Sequence, residues 1–344
     1  MIEKRLLKQL WAALAALPRV SLAQLPTPLE ELPRLSKTLG GPRIFMKRDD
    51  LTGLAFGGNK SRMFEYVLGK VVKQTRHDCV IAGAAVQSNY CRQMSAACAK
   101  IGMPLHLVLR KVRRQDGKKL EGNYLLDALF GAKIQIMEGG WPEQRKKIYE
   151  VAGKLRKQGK NPYVARAAYD GDNWLNAAAY AHSFAEMIEQ ADARKLRIDA
   201  LYMTSSDTTQ AGELVAWKFL RCKFPIHGID TVIFEGDSVR TFVDIANELE
   251  SKLGLPTRVT RADVHTTGKY IGKAYGLPTP AGLKAIKLVA RTEGILCDPV
   301  YTGKGLAGLI ADIRAGKWRK NQNVVFLHTG GAPALFAYAE SLEL

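Results

Sequence analysis

Gly57-Gly58-Asn59-Lys60-Ser61-Arg62 is the stretch on which the interpretation of this chain depends. The two glycines release the backbone from side-chain clashes, and Lys60 stands where a helical spacing of apolar residues begins. The positive field at a helix N-terminus lowers the pKa of an ammonium group, and a neutral lysine amine can attack an aldehyde to form a Schiff base. The same pattern is also typical of a surface lysine after a glycine-rich turn, so the remaining chain must decide between the two.

The bulk composition is typical of a soluble globular enzyme with about two domains. The chain has 344 residues, of which 47% are hydrophobic and 24% charged. No apolar run approaches the roughly 20 residues that cross a bilayer. The five cysteines form no C-x-x-C pair, and the six histidines show no metal spacing. We therefore expect reduced thiols in a cytoplasmic protein that has no metal site.

The N-terminal segment allows two interpretations. Lys4, Arg5 and Lys8 precede an apolar run at 10–17, which resembles a short signal peptide. Because that run is at the short end of the signal-peptide range, we expect instead an amphipathic helix that lies on the folded body.

The chain is strongly basic, with 51 Lys and Arg residues against 33 Asp and Glu residues and a net charge of +18. Basic clusters at 110–114, 146–160 and 317–320 are compatible with a nucleic-acid or anionic-ligand surface, or with ordinary solvated faces. The clusters contain no interleaved aromatic residues and match no known nucleic-acid module. We therefore expect solvated faces, and neither a nucleic-acid nor a membrane partner. An acidic small substrate is compatible with both interpretations.

Strand and helix patterns alternate along the chain. Short apolar strands are predicted at 44–47, 79–83, 105–109, 133–137, 200–203, 231–234 and 323–327. Helices are predicted at 59–75, 90–101, 122–130, 142–159, 210–223, 239–253, 281–293 and about 304–315, and 263–280 reads as irregular. This alternation predicts an α/β fold with two open, mainly parallel sheets. Such sheets bind ligands at the carboxyl ends of their strands, where the polar turns of this sequence fall.

Six motifs occur in one order along almost the whole chain from Leu25. They are Leu-Pro-Thr-Pro-Leu-Glu at 25–30, Lys-Arg-Asp-Asp at 47–50, Gly-Gly-Asn-Lys at 57–60, Gln-Ser-Asn at 87–89, Asp-Pro-Val-Tyr-Thr-Gly-Lys at 298–304 and His-Thr-Gly-Gly-Ala-Pro-Ala at 328–334. Together they resemble the D-cysteine desulfhydrase and 1-aminocyclopropane-1-carboxylate deaminase family. The resemblance implies a tryptophan-synthase-β-like fold (fold type II), with pyridoxal 5'-phosphate in the cleft between two three-layer α/β domains. It assigns 1–52 plus 166–344 to the large cofactor domain and 53–165 to the small domain.

The resemblance also implies roles for the first two polar turns. Lys60 forms the Schiff base with the cofactor, Asn59 helps to fix the loop, and Asn89 hydrogen-bonds the cofactor's phenolic oxygen. Ser88 faces the substrate, where it helps to bind the carboxylate and takes part in proton transfer, and Gln87 belongs to the same substrate-binding turn. An ordinary helix N-cap at 87–89 is the alternative, and the two interpretations are compatible.

Three residues nearer the C-terminus complete the implied site. Tyr275 and Tyr301 match two tyrosines that line the substrate side, although half-buried aromatics with hydroxyl partners are an alternative. Thr302 stands where the ring-opening deaminases carry Glu and the desulfhydrases carry Thr. A threonine hydroxyl there can donate to an unprotonated pyridine nitrogen, which makes the ring a weaker electron sink. Thr302 thus favours β-elimination from a D-cysteine- or cysteate-like amino acid, giving pyruvate, ammonia and the leaving group, over ring-opening deamination.

The phosphate-binding turn departs from the family pattern. Ser205, Ser206, Thr208, Thr209 and Gln210 are expected to bind the phosphate, but the turn has no glycine. Backbone N–H groups at a helix N-terminus can still meet a phosphate, whereas Asp207 adds a carboxylate beside a dianion. A repurposed scaffold with altered cofactor use is therefore a further hypothesis.

Two more departures lie near the cofactor side. Arg166 replaces part of a Pro- and Gly-rich run and is a candidate charge for the phosphate or for an acidic substrate. The segment 235–238 is more acidic than is usual in the family. The family resemblance further implies a homodimer, which nothing in the residues themselves tests.

Overall fold

The computed structural model of the protein describes residues 3–165, 172–205, 208–233 and 236–342. Arg166, Ser206, Asp207 and Glu235, which were singled out above, lie outside the described residues. The strands of the described part are β1 (Leu29–Glu31), β2 (Arg43–Lys47), β3 (Cys79–Ala85), β4 (Leu105–Arg110), β5 (Lys133–Met137), β6 (Pro162–Val164), β7 (Ala200–Ser205), β8 (Ile226–Asp230), β9 (His265–Thr267) and β10 (Asn323–Leu327).

The helices alternate with these strands. They are α1 (Lys4–Ala15), α2 (Pro33–Leu39), α3 (Asn59–Gln74), α4 (Asn89–Ile101), α5 (Gly122–Leu129), α6 (Trp141–Lys157), α7 (Asn173–Ala193), α8 (Thr208–Phe219), α9 (Ser238–Leu253), α10 (Pro280–Glu293) and α11 (Thr302–Arg314). Short 3-10 segments add Asp49–Leu51, Arg261–Asp263 and Ala332–Ser341. No helix in the described ranges is long and apolar enough to cross a membrane.

The strands form two sheets. The larger has six strands in the order β1-β2-β10-β7-β8-β9, and only β1 runs antiparallel to its neighbour. The smaller has four strands in the order β5-β4-β3-β6, all parallel. This confirms the expected α/β fold with two open, mainly parallel sheets. The strands of the smaller sheet fall between 79 and 164, and the domain boundaries proposed above stay a prediction.

Strand β10, in the middle of the larger sheet, shows why an apolar segment of this chain forms a parallel strand. Val324, Val325, Phe326 and Leu327 of β10 are all buried, because helices cover both faces of the sheet. A strand buried on both faces reads as a continuous apolar run, as strands of parallel sheets do. β10 ends directly before His328-Thr329-Gly330-Gly331, so the sheet delivers that polar segment to its carboxyl edge.

The N-terminal segment forms an amphipathic helix, as expected. Leu6, Leu10 and Leu14 of α1 are buried, and α1 packs against α7, with Trp11 meeting His182 edge-on at 4.9 Å between ring centroids.

The secondary-structure predictions departed from the structure at several points. The strand expected at 231–234 is displaced to β8, five residues earlier at its start, and 231–233 follow that strand. The sequence interpretation also missed α7 altogether and placed β9 in an irregular stretch. β-Branched residues favour strands only where neighbouring strands and burial suit them, and the Thr-Val-Ile at 231–233 lies beyond the end of the pairing with β7.

Candidate active site

The loop before α3 can be built only from glycine at its two decisive positions. Gly57 has φ +67, and a Cβ there would lie 1.9 Å from the backbone oxygen of Asp50. Gly58 has φ +126, which side chains rarely adopt. The helix then begins at Asn59, as predicted, so Lys60 is its second residue. Lys60 is partly buried beside the positive end of α3.

The segment after β10 lies against this loop. Asn59 donates its backbone N–H to the carbonyl of Thr329 at 3.0 Å. A Cβ on Gly330 would lie 2.6 Å from Cα of Gly58, so the two backbones pass too closely for any side chain between them. The hydroxyls of Thr329 and Thr204 are 3.3 Å apart, which adds the end of β7 to the same place. The carboxyl ends of two neighbouring strands thus converge on the start of α3.

Gln93 joins the first turns of α3 and α4. Its side-chain oxygen accepts from the N–H of Ser61 at 2.8 Å, and its side-chain nitrogen donates to the carbonyl of Asn89 at 3.0 Å. Ser88 is the N-cap of α4, and its hydroxyl accepts from the N–H of Cys91 at 3.2 Å. The N-cap interpretation of this turn is therefore confirmed, and the turn lies next to the helix that carries Lys60.

Gln87 has its side chain committed to a neighbouring turn. Its side-chain oxygen accepts from the N–H of Asn123 at 2.9 Å, and its side-chain nitrogen donates to the carbonyl of Glu121 at 3.1 Å. Asn123 in turn donates from Nδ2 to Oδ1 of Asn89 at 2.9 Å. The start of α5 thereby fixes both predicted ligand-binding residues, Gln87 and Asn89.

Thr302 is fully buried at the start of α11 and paired with Asp298. Its hydroxyl donates to Asp298 Oδ1 at 2.9 Å and accepts from the Asp298 N–H at 2.8 Å. Complete burial raises the pKa of Asp298, and the donors from Thr302 and from the N–H groups of Tyr301 and Val300 act against that rise. A Cβ on Gly331 would lie 2.7 Å from the carboxyl carbon of Asp298, so this pair also adjoins the segment after β10.

The two predicted tyrosines form a pair. The hydroxyl oxygens of Tyr275 and Tyr301 are 2.7 Å apart, and their ring centroids are 6.0 Å apart. Both are half-buried, and they pack on a small apolar cluster that includes Val300 and Tyr338. The guanidinium carbon of Arg110, at the end of β4, lies 5.9 Å from the Tyr275 ring centroid. The smaller sheet thus reaches the same tyrosine pair.

The residues predicted to bind the phosphate divide into two groups. Thr208 and Thr209 are buried as the first two residues of α8, and the N-terminus of a helix is a place that suits an anion. Ser205 and Gln210 instead bond to each other, since the serine hydroxyl donates to Gln210 Oε1 at 2.6 Å. Gln210 also donates to the carbonyl of His265 at 3.1 Å, so its amide connects α8 to β9. Ser206 lies outside the described residues.

Some contributors to this site were missed from the sequence. Arg92, which is fully buried, donates to the carbonyl of Gly57 at 2.9 Å and so holds the loop before Lys60. Gln93 was not singled out either, because its bond to Ser61 depends on the folded chain, and Asp298 stood in the motif at 298–304 without a role of its own. Gly330 and Gly331 had a signal, namely a Gly-Gly pair after a fully apolar strand, which is where a close backbone approach is expected.

These residues fit pyridoxal phosphate. A lysine at the second position of α3 supplies a primary amine in the converging region. Helices α4, α8 and α11 begin next to strand ends or beside the segment after β10, and their positive ends suit a phosphate dianion. The Gly57–Gly58 loop and Gly330 leave no room for side chains between them, so the two backbone segments pack directly against each other beside Lys60.

Comparison with known proteins supports this fit. The model of the family described as pyridoxal-phosphate dependent enzymes matches residues 20–330. The chain is 37% identical over 328 residues to a D-cysteine desulfhydrase of Yersinia enterocolitica and 34% identical over 327 residues to one of Salmonella typhi, covering 94% of this chain and 97% of the relative in both cases. It is also similar to a crystal structure of an ACC deaminase homologue, with a TM-score of 0.85, 31% identity and coverage of 97% of this chain and 98% of the other.

Proposed function

The chain belongs to the family of pyridoxal-phosphate-dependent enzymes and is a lyase, and from that premise we propose that it eliminates the β-substituent of D-cysteine or of a cysteate-like amino acid. The products are pyruvate, ammonia and the departing sulfur group. The observation that carries the proposal is the position of Lys60, second in a helix whose start is fixed by two glycines and by the segment after β10. The near full-length similarity to two D-cysteine desulfhydrases supports the choice of substrate.

Lys60 is assigned two tasks on this proposal. Bound pyridoxal phosphate supplies an aldehyde that condenses with an amine and a ring that accepts electrons when a bond to Cα breaks. The Lys60 side-chain nitrogen holds the cofactor and then takes the proton from Cα of the substrate. Its place at the N-terminus of α3 favours the neutral amine that both tasks need.

Ser88 and Asn89 are assigned to the substrate carboxylate and to the cofactor's phenolic oxygen. The first turn of α4 presents N–H groups and a positive end toward an anion. Gln93 keeps this turn at a fixed place relative to α3, so a carboxylate bound at α4 is oriented toward Lys60. Tyr275 and Tyr301 then close the substrate side, and their mutual hydrogen bond restricts both hydroxyls.

Thr302 supports elimination over ring-opening deamination. A carboxylate at this place would keep a ring nitrogen protonated, whereas the residue here is a neutral hydroxyl bonded to Asp298. A ring that is a weaker electron sink suits loss of a proton from Cα followed by departure of a good leaving group. Ring opening of a cyclopropane amino acid needs the stronger sink, so we expect little 2-oxobutyrate from that substrate.

The test combines a spectrum with a product assay. Purified protein is expected to show the visible absorbance of bound cofactor, and Lys60→Ala is expected to lose it together with pyruvate formation. Lys73→Ala, a change at an exposed lysine of the same helix, is the control and should keep both. Pyruvate, 2-oxobutyrate, sulfide and sulfite are then measured with both enantiomers of cysteine and cysteate and with the cyclopropane acid. A colourless protein that takes up no cofactor in excess would contradict the proposal.

A further inference from the structure

Arg110 ends β4 at the edge of the smaller sheet where the substrate turn begins. It pairs in register with Ala85, the last residue of β3, and its carbonyl accepts from the N–H of Val86 at 3.0 Å. Ser88 follows two residues later. Because the carboxyl ends of parallel strands share one edge, Arg110 lies beside the turn assigned to the substrate carboxylate.

The Arg110 guanidinium has no acceptor for its N–H groups among the described residues. Its Nε is buried and has no hydrogen-bond partner there, and no described carboxylate forms an ion pair with it. The guanidinium carbon lies over the face of the Tyr275 ring, 5.9 Å from the ring centroid. A ring face attracts the charge but accepts no hydrogen bond from the in-plane Nε–H, and a buried donor without a partner costs about 1–3 kcal/mol.

Two neighbouring cations of the same basic cluster, Lys111 and Arg113, are paired. Lys111 forms an ion pair with Glu138 at 2.9 Å, and Arg113 forms one with Asp116 at 2.7 Å. Arg113 also donates to the carbonyl of Ala337. Arg110 differs from these two residues, because it is half-buried and its Nε–H is buried without an acceptor among the described residues.

We propose that Arg110 binds the β-substituent of the substrate and that this substituent is a sulfur oxyanion, as in cysteate. The inference rests on the proposed function, because that function places Tyr275 at the substrate side of the site. In the elimination the Cα–H and Cβ–S bonds break and a Cα=Cβ bond forms. The proton goes to the Lys60 amine, and sulfur leaves with the bonding pair as sulfite. A guanidinium presents paired N–H donors that match two oxyanion oxygens, so it binds the sulfonate and stabilises the charge that leaves.

Substrate comparison in one variant series tests this proposal. The variants are Arg110→Met, Arg110→Lys and the neighbouring control Lys111→Met, and the substrates are cysteate and β-chloroalanine in both enantiomers. Arg110→Met is expected to lower kcat/KM for cysteate by about 100-fold, as for loss of one partner of a desolvated charge pair, and for β-chloroalanine by less than about 5-fold. Arg110→Lys should recover about 10-fold of the loss, since it restores the charge without the paired donors. Lys111→Met should match the parent.

Equilibrium binding gives a second measurement that does not depend on turnover. Titration calorimetry on the holoenzyme compares aspartate, which carries an anionic β-substituent that does not leave, with alanine. Arg110→Met should weaken aspartate by about 30-fold or more and leave alanine unchanged. The role of Arg110 would be overturned if Arg110→Met weakened both ligands and both substrates equally, or weakened none of them. Turnover of β-chloroalanine by the parent protein would still support the lyase activity in that case. Absence of elimination from every substrate in the parent protein would overturn the lyase proposal and this one with it.

Discussion

The Thr302 hydroxyl has a single proton, and the structure directs it to Asp298 Oδ1. One lone pair of the same oxygen already accepts from the Asp298 N–H. A hydroxyl cannot donate to two acceptors at once, so Thr302 can donate to a ring nitrogen only by giving up Asp298. The role of Thr302 as a cofactor ligand stays a prediction. The hydrogen bond that Thr302 would lose in that role is the one to Asp298.

Lys304, two residues further along α11, gives a prediction about pH. It is fully buried, its amine donates to the carbonyl of Ile271 at 2.7 Å, and burial lowers its pKa to about 8 from the usual 10.5. The unfolded chain therefore binds more protons between pH 8 and 10.5, so the unfolding free energy rises with pH across that window. We expect a gain of up to about 3 kcal/mol from this group, absent in Lys304→Met.

Urea denaturation at several pH values and constant ionic strength measures this effect. As the pH rises from 8 to 10.5, the unfolding free energy of the parent should increase relative to that of Lys304→Met. Lys284→Met, at an exposed position of α10, serves as the control and should run parallel to the parent. Parallel curves for Lys304→Met as well would show that the buried amine keeps its proton.

For single residues, the sequence predicts those roles that depend on neighbours close in the chain. The place of Lys60 at a helix start and the capping role of Ser88 both follow from their immediate neighbours, and the structure confirms both. Gln93 and Arg92 could not be predicted in the same way. The bonds of Gln93 to Ser61 and of Arg92 to Gly57 each span more than 30 residues of the chain, and only the packing of α4 against the start of α3 brings those partners together.

The loop before α3 gives the prediction at the scale of elements. Gly57 and Gly102 both have left-handed backbone, with φ +67 and +71, but only Gly57 has a backbone oxygen where a Cβ would be. Gly102→Ala is expected to cost about 1 kcal/mol, the strain of the backbone conformation alone. Gly57→Ala must also move the loop away from Asp50, so it is expected to lower cofactor affinity as well as stability.

Thermal unfolding and cofactor titration of the two variants separate these effects. Gly102→Ala should lose a few degrees of Tm and bind the cofactor as the parent does. Gly57→Ala should show the larger loss of Tm together with weaker cofactor binding. Indistinguishable behaviour of the two glycine variants would mean that the loop tolerates a side chain at 57.

Elements with a strong local period were predictable, and those shaped by tertiary contacts were not. α3 and β10 were placed to within one residue because their patterns match a helix that starts after a Gly-Gly turn and a strand that is buried on both faces. α7 is buried on nearly every side and rich in alanine, so it lacks the polar stripe that identifies a surface helix. β8 contains Gly228, where a Cβ would lie 2.3 Å from Gln210 Oε1, and such a requirement is invisible until α8 is in place.

On the scale of the whole molecule, a buried charge cluster ties α3 to the larger sheet. Arg62, two residues after Lys60, donates to both carboxyl oxygens of Asp49 at 2.8 and 2.9 Å and to both of Glu186 at 2.8 and 3.0 Å. Lys47 of β2 also pairs with Glu186, which α7 carries. All four side chains are buried, so the two cations and two anions compensate one another inside the protein.

Removing one member of this cluster should cost far more than breaking a surface pair. Arg62→Met leaves Asp49 and Glu186 without their main cation, and we expect a loss of about 3–5 kcal/mol in unfolding free energy. The control is Arg43→Met, because Arg43 and Glu31 form an exposed ion pair at 2.8 Å that should be worth no more than about 1 kcal/mol.

The cluster also determines how the protein responds to acid. The pairs with Arg62 and Lys47 lower the pKa of Glu186 to about 2 from 4.5, against the effect of burial. Its contribution to stability is therefore complete above pH 4.5 and is lost as the pH falls toward 2. Arg62→Met removes the main cause of that shift, so its unfolding free energy should fall less steeply between pH 4.5 and 2 than that of the parent. Equal slopes in that range would mean that Lys47 alone holds Glu186 ionised, and that the link between α3 and the sheet rests on Asp49.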